Sequence, residues 1–143
     1  MFDVGHVPGK AIAEHDNVAK AVADCAFARV RELNAIFSDY EDDSELTLLS
    51  RTSGSGRAVQ VSEELWRLLN VAQAMSRRSD GAFDITVGPL VQVWRRARRQ
   101  RELPAPEVIA EAKARVGWDK LQLDPRAGTA KLLVPNMRLD LGS

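Results

Sequence analysis

The chain of 143 residues is 45% hydrophobic and 28% charged, which is typical of one globular domain with a core of its own. Lys plus Arg and Asp plus Glu each number 20, so the net charge of zero gives no reason to expect nucleic acid or a membrane surface as a partner. No apolar run reaches the roughly 18 residues of a membrane span, and the first residues do not resemble a signal peptide, so we expect no membrane segment and leave the cellular location open.

The first predicted helix follows an irregular start. Residues 1–15 show no helical or strand pattern, and we expect no regular element there. Asp16 is predicted to cap a helix that ends at Phe37, because apolar residues recur every three or four positions. The single cysteine, Cys25, lies beside this stripe, which favours a buried core residue over a reactive thiol. The apolar stripe comprises Val18, Val22, Ala26, Val30, Leu33 and Phe37.

Short elements and turns follow the first helix. Residues 38–44 are rich in carboxylates and turn formers and predict a loop, which is followed by a short helix over 45–50. The Thr-Ser-Gly-Ser-Gly run at 52–56 predicts a flexible linker, and 58–61 a brief strand. Ser62 is then expected to cap a second helix. The apolar face of that helix comprises Leu65, Leu68, Leu69, Ala72 and Met75.

Glycine and proline divide the middle of the chain. Gly81 is expected to stop the second helix in a left-handed turn, and residues 82–87 are expected to be extended. Pro89 suits the first position of a third helix, and 106–116 predict a fourth. The inner face of the third helix is expected to comprise Leu90, Val93, Trp94 and Ala97.

The C-terminal part predicts antiparallel strands. Residues 121–123 and 130–134 have the pattern of a hairpin around a turn at 124–128, and 137–141 that of a last strand. The fold class is therefore α+β, with mixed helices and antiparallel strands. Because the sequence stops at Ser143, within what resembles a buried strand, we expect it to be cut from a longer protein.

Three segments contain residues suited to ligand binding, and each also has a structural explanation. Tyr40 can stack on an aromatic ligand, which contributes about 0.5–1.5 kcal/mol beyond its buried area, although a solvated acidic loop explains the composition better. Asp84 lies among apolar residues, where facing a ligand and capping a turn stay equally open. Five arginines between Arg95 and Arg101 suit an arginine-rich nucleic-acid or protein-binding module, but their place opposite the apolar face favours a solvated surface.

The segment around Asp84 also carries a family resemblance. The run from Ser79 to Val91 is Ser-Asp-Gly-Ala-Phe-Asp-Ile-Thr-Val-Gly-Pro-Leu-Val, and Trp94 follows shortly after it. This block resembles the signature of the FAD:protein FMN transferase family, also called the ApbE family or thiamine biosynthesis lipoprotein-like proteins. Other pieces stand in the same order as in that family and extend the similarity from about Asn17 to the end of the chain. The first of these pieces is residues 35–40 followed by 43–46, the second is 61–62, and the third is 139–142.

The resemblance implies a Mg²⁺-dependent enzyme with FAD as its substrate. In this family a threonine hydroxyl of a target flavoprotein attacks the FMN phosphorus, AMP leaves, and FMN stays joined to the target through a phosphoester. The resemblance also implies an ApbE-like (T-fold-like) domain, of which residues 16–143 form the N-terminal portion.

Carried over by position, the resemblance suggests roles for particular residues and leaves the catalytic residues unassigned. Tyr40 resembles a flavin-site aromatic residue, and Asp140 resembles an FAD-contacting carboxylate. Ser143 stands where a backbone oxygen helps to hold Mg²⁺, while Asp84 is expected to be structural. The FAD-contacting turn is expected to comprise Gly81, Ala82 and Phe83.

The chain also departs from the family pattern. The family's opening Met-Gly-Thr strand has no match here, and neither the Gly-Tyr segment nor the C-terminal half with the Asp and Thr of the metal site follows. Members of the family are often exported and lipid-anchored, but this sequence shows no lipoprotein signal. We therefore expect an incomplete domain that does not catalyse the transfer alone.

Overall fold

The computed structural model describes the backbone of residues 9–142 and the side chains of residues 16–142. By their internal contacts these residues separate into two compact units, the first ending at Leu33 and the second beginning at Asn34. No helix within residues 9–142 combines the length and the apolar character that crossing a membrane requires.

The first unit consists of most of helix α1, Gly9–Phe37. The helix begins before the predicted start, so the expectation of no regular element over 9–15 is wrong for these residues, while 1–8 lie outside the described residues. Asp16 consequently lies inside the helix and is not its cap. The physical reason is helix propensity, since the Lys-Ala-Ile-Ala-Glu run at 10–14 contains strong helix formers that need no cap at Asp16.

The predicted stripe of α1 has helical spacing but is exposed over most of its length. Val18, Val22 and Val30 are 63%, 65% and 51% exposed. Cys25 is exposed as well, so its interpretation as a core residue is wrong. Periodicity established the helix and its apolar side, but burial depends on what packs against that side.

The second unit contains helices, short strands and two turns of 3₁₀ helix. The α-helices are α2 Glu45–Arg51, α3 Glu63–Arg78, α4 Gly88–Gln100 and α5 Pro106–Ala114. The strands are β1 Val59–Gln60, β2 Leu121–Asp124 and β3 Thr129–Leu132, and the 3₁₀ turns are Ile85–Val87 and Trp118–Lys120.

The three strands form one antiparallel sheet in the order β1-β3-β2, with Leu123 opposite Ala130 in the hairpin. The hairpin predicted from the turn at 124–128 is therefore confirmed. Asp124 stabilises that turn by accepting hydrogen bonds from the next backbone N–H groups, and Gly128 completes it with a φ of +63°.

The core of this unit lies between α2, α3 and the sheet. Ser62 caps α3 as predicted, accepting a hydrogen bond from Leu65 N, and its own N–H and hydroxyl donate to the carboxylate of Glu45 in α2. Met75, expected on the apolar face, is about half exposed. The buried apolar residues are Leu46, Leu49, Val61, Leu65, Leu69, Ala72, Ile85, Leu121, Ala130, Leu132, Met137 and Leu139.

Three predicted segments differ from the structure. Residues 52–56 form an anchored turn instead of a flexible linker, because Gly54 donates to the carbonyl of Leu132 at 3.1 Å and lies so close to Pro135 that a Cβ would approach it within 2.6 Å. Residues 137–141 are irregular, because Leu139 N donates to the Ser50 hydroxyl at 3.2 Å, which is not a ladder partner. A third segment, 82–87, ends in the 3₁₀ turn at Ile85–Val87 where an extended run was expected.

Candidate functional site

The glycine-containing bend after α3 is folded onto the end of that helix. Gly81 has a φ of +80°, and its N–H donates to the carbonyl of Ser76 at 2.8 Å. Ala82 N and Phe83 N donate to the Ser79 carbonyl and hydroxyl at 3.1 and 3.0 Å. The side chains of Ala82 and Phe83 are exposed. The left-handed stop predicted at Gly81 is confirmed, and the bend presents its two following side chains to solvent.

Asp84 holds the next turn in place. Its Oδ1 accepts hydrogen bonds from the backbone N–H and the hydroxyl of Thr86 at 2.8 and 2.7 Å. Thr86 is fully buried, and its hydroxyl oxygen also accepts from Gly117 N at 2.8 Å. The sequence left two roles open for Asp84, facing a ligand or capping a turn. These hydrogen bonds match the turn cap.

The first turn of α4 packs closely against the C-terminal segment. Gly88 is buried, and a Cβ at this position would overlap the carbonyl group of Arg138. Asp140 N donates to the carbonyl of Ile85 at 2.8 Å. The absence of a side chain at Gly88 therefore lets the segment that carries Asp140 lie directly on the turn that precedes α4.

Arg95 of α4 joins three residues from distant parts of the chain. Its Nη1 lies 2.9 Å from Asp39 Oδ2, and its Nη2 lies 3.6 Å from Asp140 Oδ2. Its guanidinium carbon lies over the ring of Tyr40, 4.6 Å from the ring centroid. The Arg95 side chain is only 33% exposed, so the interpretation of all five arginines as a solvated face is wrong for this one.

The surroundings of Arg95 favour its charged form. Burial lowers the pKa of the guanidinium, but the hydrogen bond and charge of Asp39, then the charges of Tyr40 and Asp140, outweigh burial and raise the pKa above its ordinary value. The stabilisation is fully present below the ordinary pKa of arginine and is lost only as the pH rises through the raised value. Arg95 is therefore a permanent cation in this cluster.

A second arginine holds the loop that carries Tyr40. Arg138 donates to the backbone carbonyl of Asp39. The Gln92 amide oxygen accepts from Arg138 Nε and Nη1 at 3.3 and 3.0 Å when the amide is oriented to satisfy both groups. The side chain of Asp39 is 1% exposed, so this loop is tied to α4 by a buried carboxylate and to the C-terminal segment by its backbone.

The structure brings together some of the residues assigned from the resemblance. Tyr40 and Asp140 both contact Arg95. The bend at Gly81, Ala82 and Phe83 bonds to the end of α3 instead, and its link to Asp140 is indirect, through Ile85 two residues further along the chain, whose carbonyl accepts from Asp140 N. Ser143 lies outside the described residues.

Sequence reasoning missed Arg95 and its partner Asp39. In the sequence Arg95 belongs to the run of arginines placed opposite the predicted inner face of α4, so no local pattern set it apart from the others. Its partners are too distant in the chain for any local pattern to indicate.

A groove of the second unit lies on a different face of α4. It encloses about 670 Å³ between α4, α5 and the loop joining them. Its walls carry charges of both signs, including Arg96, Glu102 and Glu111, and include Val93 and Val108. Because this lining shares no residue with the Tyr40, Arg95 and Asp140 cluster, the groove is separate from the candidate site.

The chain is similar to one protein family over nearly its whole length. The model of the ApbE family matches residues 7–143. The chain therefore belongs to the ApbE family, and the resemblance drawn from the sequence is confirmed.

Curated relatives support the same grouping. The FAD:protein FMN transferase of Haemophilus influenzae is 33% identical over 120 residues, which cover 81% of this chain and 35% of the relative. The FAD:protein FMN transferase of Salmonella typhimurium is 36% identical over 112 residues, which cover 76% of this chain and 32% of that relative. The chain thus spans about a third of the length of these relatives.

Solved structures confirm the α+β fold. The ApbE protein of Thermotoga maritima superposes with a TM-score of 0.72 at 26% identity, covering 86% of this chain and 40% of that one. The flavinyl transferase ApbE of Pseudomonas stutzeri, in its apo form, superposes with a TM-score of 0.71 at 24% identity. The superposition covers 86% of this chain and 36% of that one. The chain corresponds to part of the ApbE fold.

Proposed function

We propose that this chain forms one side of the FAD site of an FAD:protein FMN transferase. The observation that carries the proposal is the meeting of Tyr40 and Asp140 at Arg95, since the resemblance assigns both residues to FAD although they lie far apart in the sequence. The curated relatives are FAD:protein FMN transferases, which supports the same reaction.

In the proposed reaction an acceptor threonine of a target flavoprotein attacks FAD. The threonine oxygen forms a bond to the phosphorus on the FMN side of the pyrophosphate, and the bond from that phosphorus to the AMP oxygen breaks. AMP leaves, the hydroxyl proton is released, and FMN remains attached through a phosphoester. The target flavoprotein and its threonine are part of the proposal.

The described side chains suit recognition of FAD. Tyr40 is 65% exposed, so its ring has area available for stacking on the flavin or the adenine. Asp140 Oδ1 accepts from Gly142 N at 2.8 Å, which leaves Oδ2 to accept a hydrogen bond from a hydroxyl or ring N–H of the ligand. We assign Gly81, Ala82 and Phe83 to the same ligand, with the exposed bend offering backbone and ring contacts.

Mg²⁺ is the expected metal, with the backbone oxygen of Ser143 as one ligand. Residues 16–142 contain no group of three His, Cys, Asp or Glu side chains that could hold a metal ion. The described residues alone therefore do not fit a complete Mg²⁺ site, and no step of the proposal depends on the metal.

We also propose that residues 16–143 are the N-terminal portion of the transferase domain and do not transfer FMN alone. The basis is coverage, since the chain matches only about a third of each relative.

Direct binding of FAD tests the proposed site. Equilibrium dialysis of the chain against FAD should show binding that Tyr40→Ala and Asp140→Asn each weaken by about tenfold, the loss expected for a stacking or charge-assisted contact. Asp43→Asn, an exposed carboxylate of the same loop, is the control and should change the affinity less than twofold. Equal binding by all four proteins would contradict the site.

Complementation tests the activity. The chain is mixed with the separately produced remainder of the Haemophilus influenzae relative, FAD, Mg²⁺ and an acceptor flavoprotein, and covalent flavin is measured after denaturation. Transfer by the mixture but by neither part alone supports the proposal. No transfer from a mixture in which the two parts form a stable complex would count against it.

The alternative of an arginine-rich binding module has no specific observation in its favour. Arg95, the first of the five arginines, pairs with the buried Asp39 and faces Asp140. Its charge is therefore engaged within the protein, which weakens the case for a continuous basic surface.

A further inference from the structure

The guanidinium of Arg95 covers one face of the Tyr40 ring and faces the carboxylate of Asp140. We infer that Arg95 is a positioning residue for the FAD site: it fixes Tyr40 and Asp140 so that an aromatic ring of FAD stacks on the opposite face of Tyr40. The inference rests on the proposed function and adds a residue that the family resemblance does not assign.

Only one face of the Tyr40 ring is available to a ligand. The guanidinium carbon lies 4.6 Å from the ring centroid, which is contact distance for a stacked cation. The residue is nevertheless 65% exposed, which leaves the other face of the ring open. An incoming aromatic ring therefore meets Tyr40 on the side away from Arg95.

Arg95 itself is fixed by a buried partner. Its Nη1 donates to Asp39 Oδ2 at 2.9 Å, and the Asp39 side chain is almost completely buried. The backbone of Asp39 is held in turn by Arg138. If the Arg95 guanidinium shifted on ligand binding, the buried carboxylate of Asp39 would lose this partner, which costs free energy. Arg95 is therefore expected to keep its position and to support Tyr40 rigidly.

Asp140 faces the same guanidinium. Arg95 Nη2 lies 3.6 Å from Asp140 Oδ2, which is close enough for charge attraction but too long for a hydrogen bond. The carboxylate is therefore oriented by Arg95 while Oδ2 keeps its capacity to accept a hydrogen bond from FAD. Holding an aromatic ring and a carboxylate in place before binding reduces the conformational entropy that the ligand must remove.

Substitutions at Arg95, with a matched control on the same helix, separate this role from general charge. The FAD affinity of the 143-residue chain is measured by equilibrium dialysis at fixed ionic strength. Arg95→Gln should weaken binding by about tenfold, and Arg95→Lys by about threefold, because lysine keeps the charge but not the planar stack. Arg99→Gln, an exposed arginine in the last turn of α4, should stay within about twofold.

A double-mutant cycle shows whether Arg95 acts through Tyr40. In the unmodified chain we expect Arg95→Gln to weaken FAD binding by about tenfold. In a Tyr40→Ala background the same substitution should weaken binding by no more than about threefold. Undiminished loss in that background would overturn the inference.

A direct readout comes from the single tyrosine of the chain. Labelling with 3-fluorotyrosine yields one ¹⁹F resonance, which reports the surroundings of the Tyr40 ring. Arg95→Gln should shift this resonance in the absence of FAD, Arg95→Lys should shift it less, and Arg99→Gln should leave it unchanged. Because Arg95→Lys retains a cation beside Asp39, it keeps the test valid if Arg95→Gln does not fold.

The outcomes for the two proposals differ. If the unmodified chain binds FAD and the Arg95 variants bind equally well, the positioning role is wrong and the proposed function stands. If the unmodified chain binds no FAD, the proposed site fails and the inference fails with it.

Discussion

The backbone N–H of Asp140 donates a hydrogen bond to the carbonyl oxygen of Ile85 over a distance of 2.8 Å. This bond attaches the C-terminal segment to the turn that follows the glycine bend, while the carboxylate of Asp140 faces Arg95. The position of Asp140 therefore depends both on the turn and on α4. Substitutions that displace either element should change the hydrogen exchange of the Asp140 amide.

Gly88→Ala should displace the C-terminal segment, because the added Cβ would overlap the carbonyl group of Arg138. We expect a loss of about 1–3 kcal/mol in the free energy of unfolding and faster hydrogen exchange at the Asp140 amide. Gly56→Ala is the control, since its φ of +74° also disfavours alanine but no described atom lies within 4 Å of its Cβ position. It should lower stability by about 1–2 kcal/mol without changing exchange at Asp140. Equal exchange rates in the two variants would contradict the close approach at Gly88.

Asp39→Asn should destabilise the protein by about 1–3 kcal/mol, measured by urea denaturation. The substitution removes the charge from a buried carboxylate that pairs with Arg95. Because the Arg95 side chain is a third exposed, water compensates for part of the lost ion pair. We therefore expect a destabilisation in the lower half of that range. Asp42→Asn removes an exposed partner of Arg51 and should change stability by less than about 0.5 kcal/mol. Similar losses in both variants would show that Asp39 is no more than a surface charge.

Thr86→Val tests the network beneath the bend. Valine has nearly the shape of threonine but leaves Gly117 N without its acceptor and removes a donor to Asp84. We expect the free energy of unfolding to fall by about 1–3 kcal/mol. Thr129→Val on the partly exposed strand β3 should stay within about 0.5 kcal/mol. A stability at least equal to that of the unmodified chain would exclude a structural role for the Thr86 hydroxyl.

Leu69→Ala should cost about 2–5 kcal/mol, because Leu69 is fully buried between α3 and the rest of the core. Leu103→Ala changes a leucine that is 82% exposed and should cost less than about 0.5 kcal/mol. Thermal unfolding followed by circular dichroism measures both. A comparable effect of the two substitutions would mean that α3 does not pack as described.

Cys25 should react as an exposed thiol. With Ellman's reagent we expect one equivalent to be released from the native chain at a rate within about tenfold of that in denaturant, since exposure governs access to the thiolate. Cys25→Ser should release none. Protection of the native thiol by several orders of magnitude would restore the original interpretation of a buried residue.

Local sequence determined the elements whose signals lie within a few residues. The Ser62 cap, the stop at Gly81, the helix start at Pro89 and the hairpin all follow from preferences of individual residues for particular backbone conformations. Family membership likewise came from local residue patterns, the block from Ser79 to Val91 and further segments in the same order as in the family, and the match over 7–143 confirms it.

Tertiary structure alone decided the partners and the burial of single side chains. Arg95 stands in a run of arginines that have the same local pattern, and only the approach of Asp39, Tyr40 and Asp140 distinguishes it from the others. Cys25 lies beside the apolar stripe of α1, where a core residue was expected, and is exposed. Backbone conformation responds mainly to neighbours within one or two turns, whereas ion pairing and burial are set by residues that only the folded chain brings together.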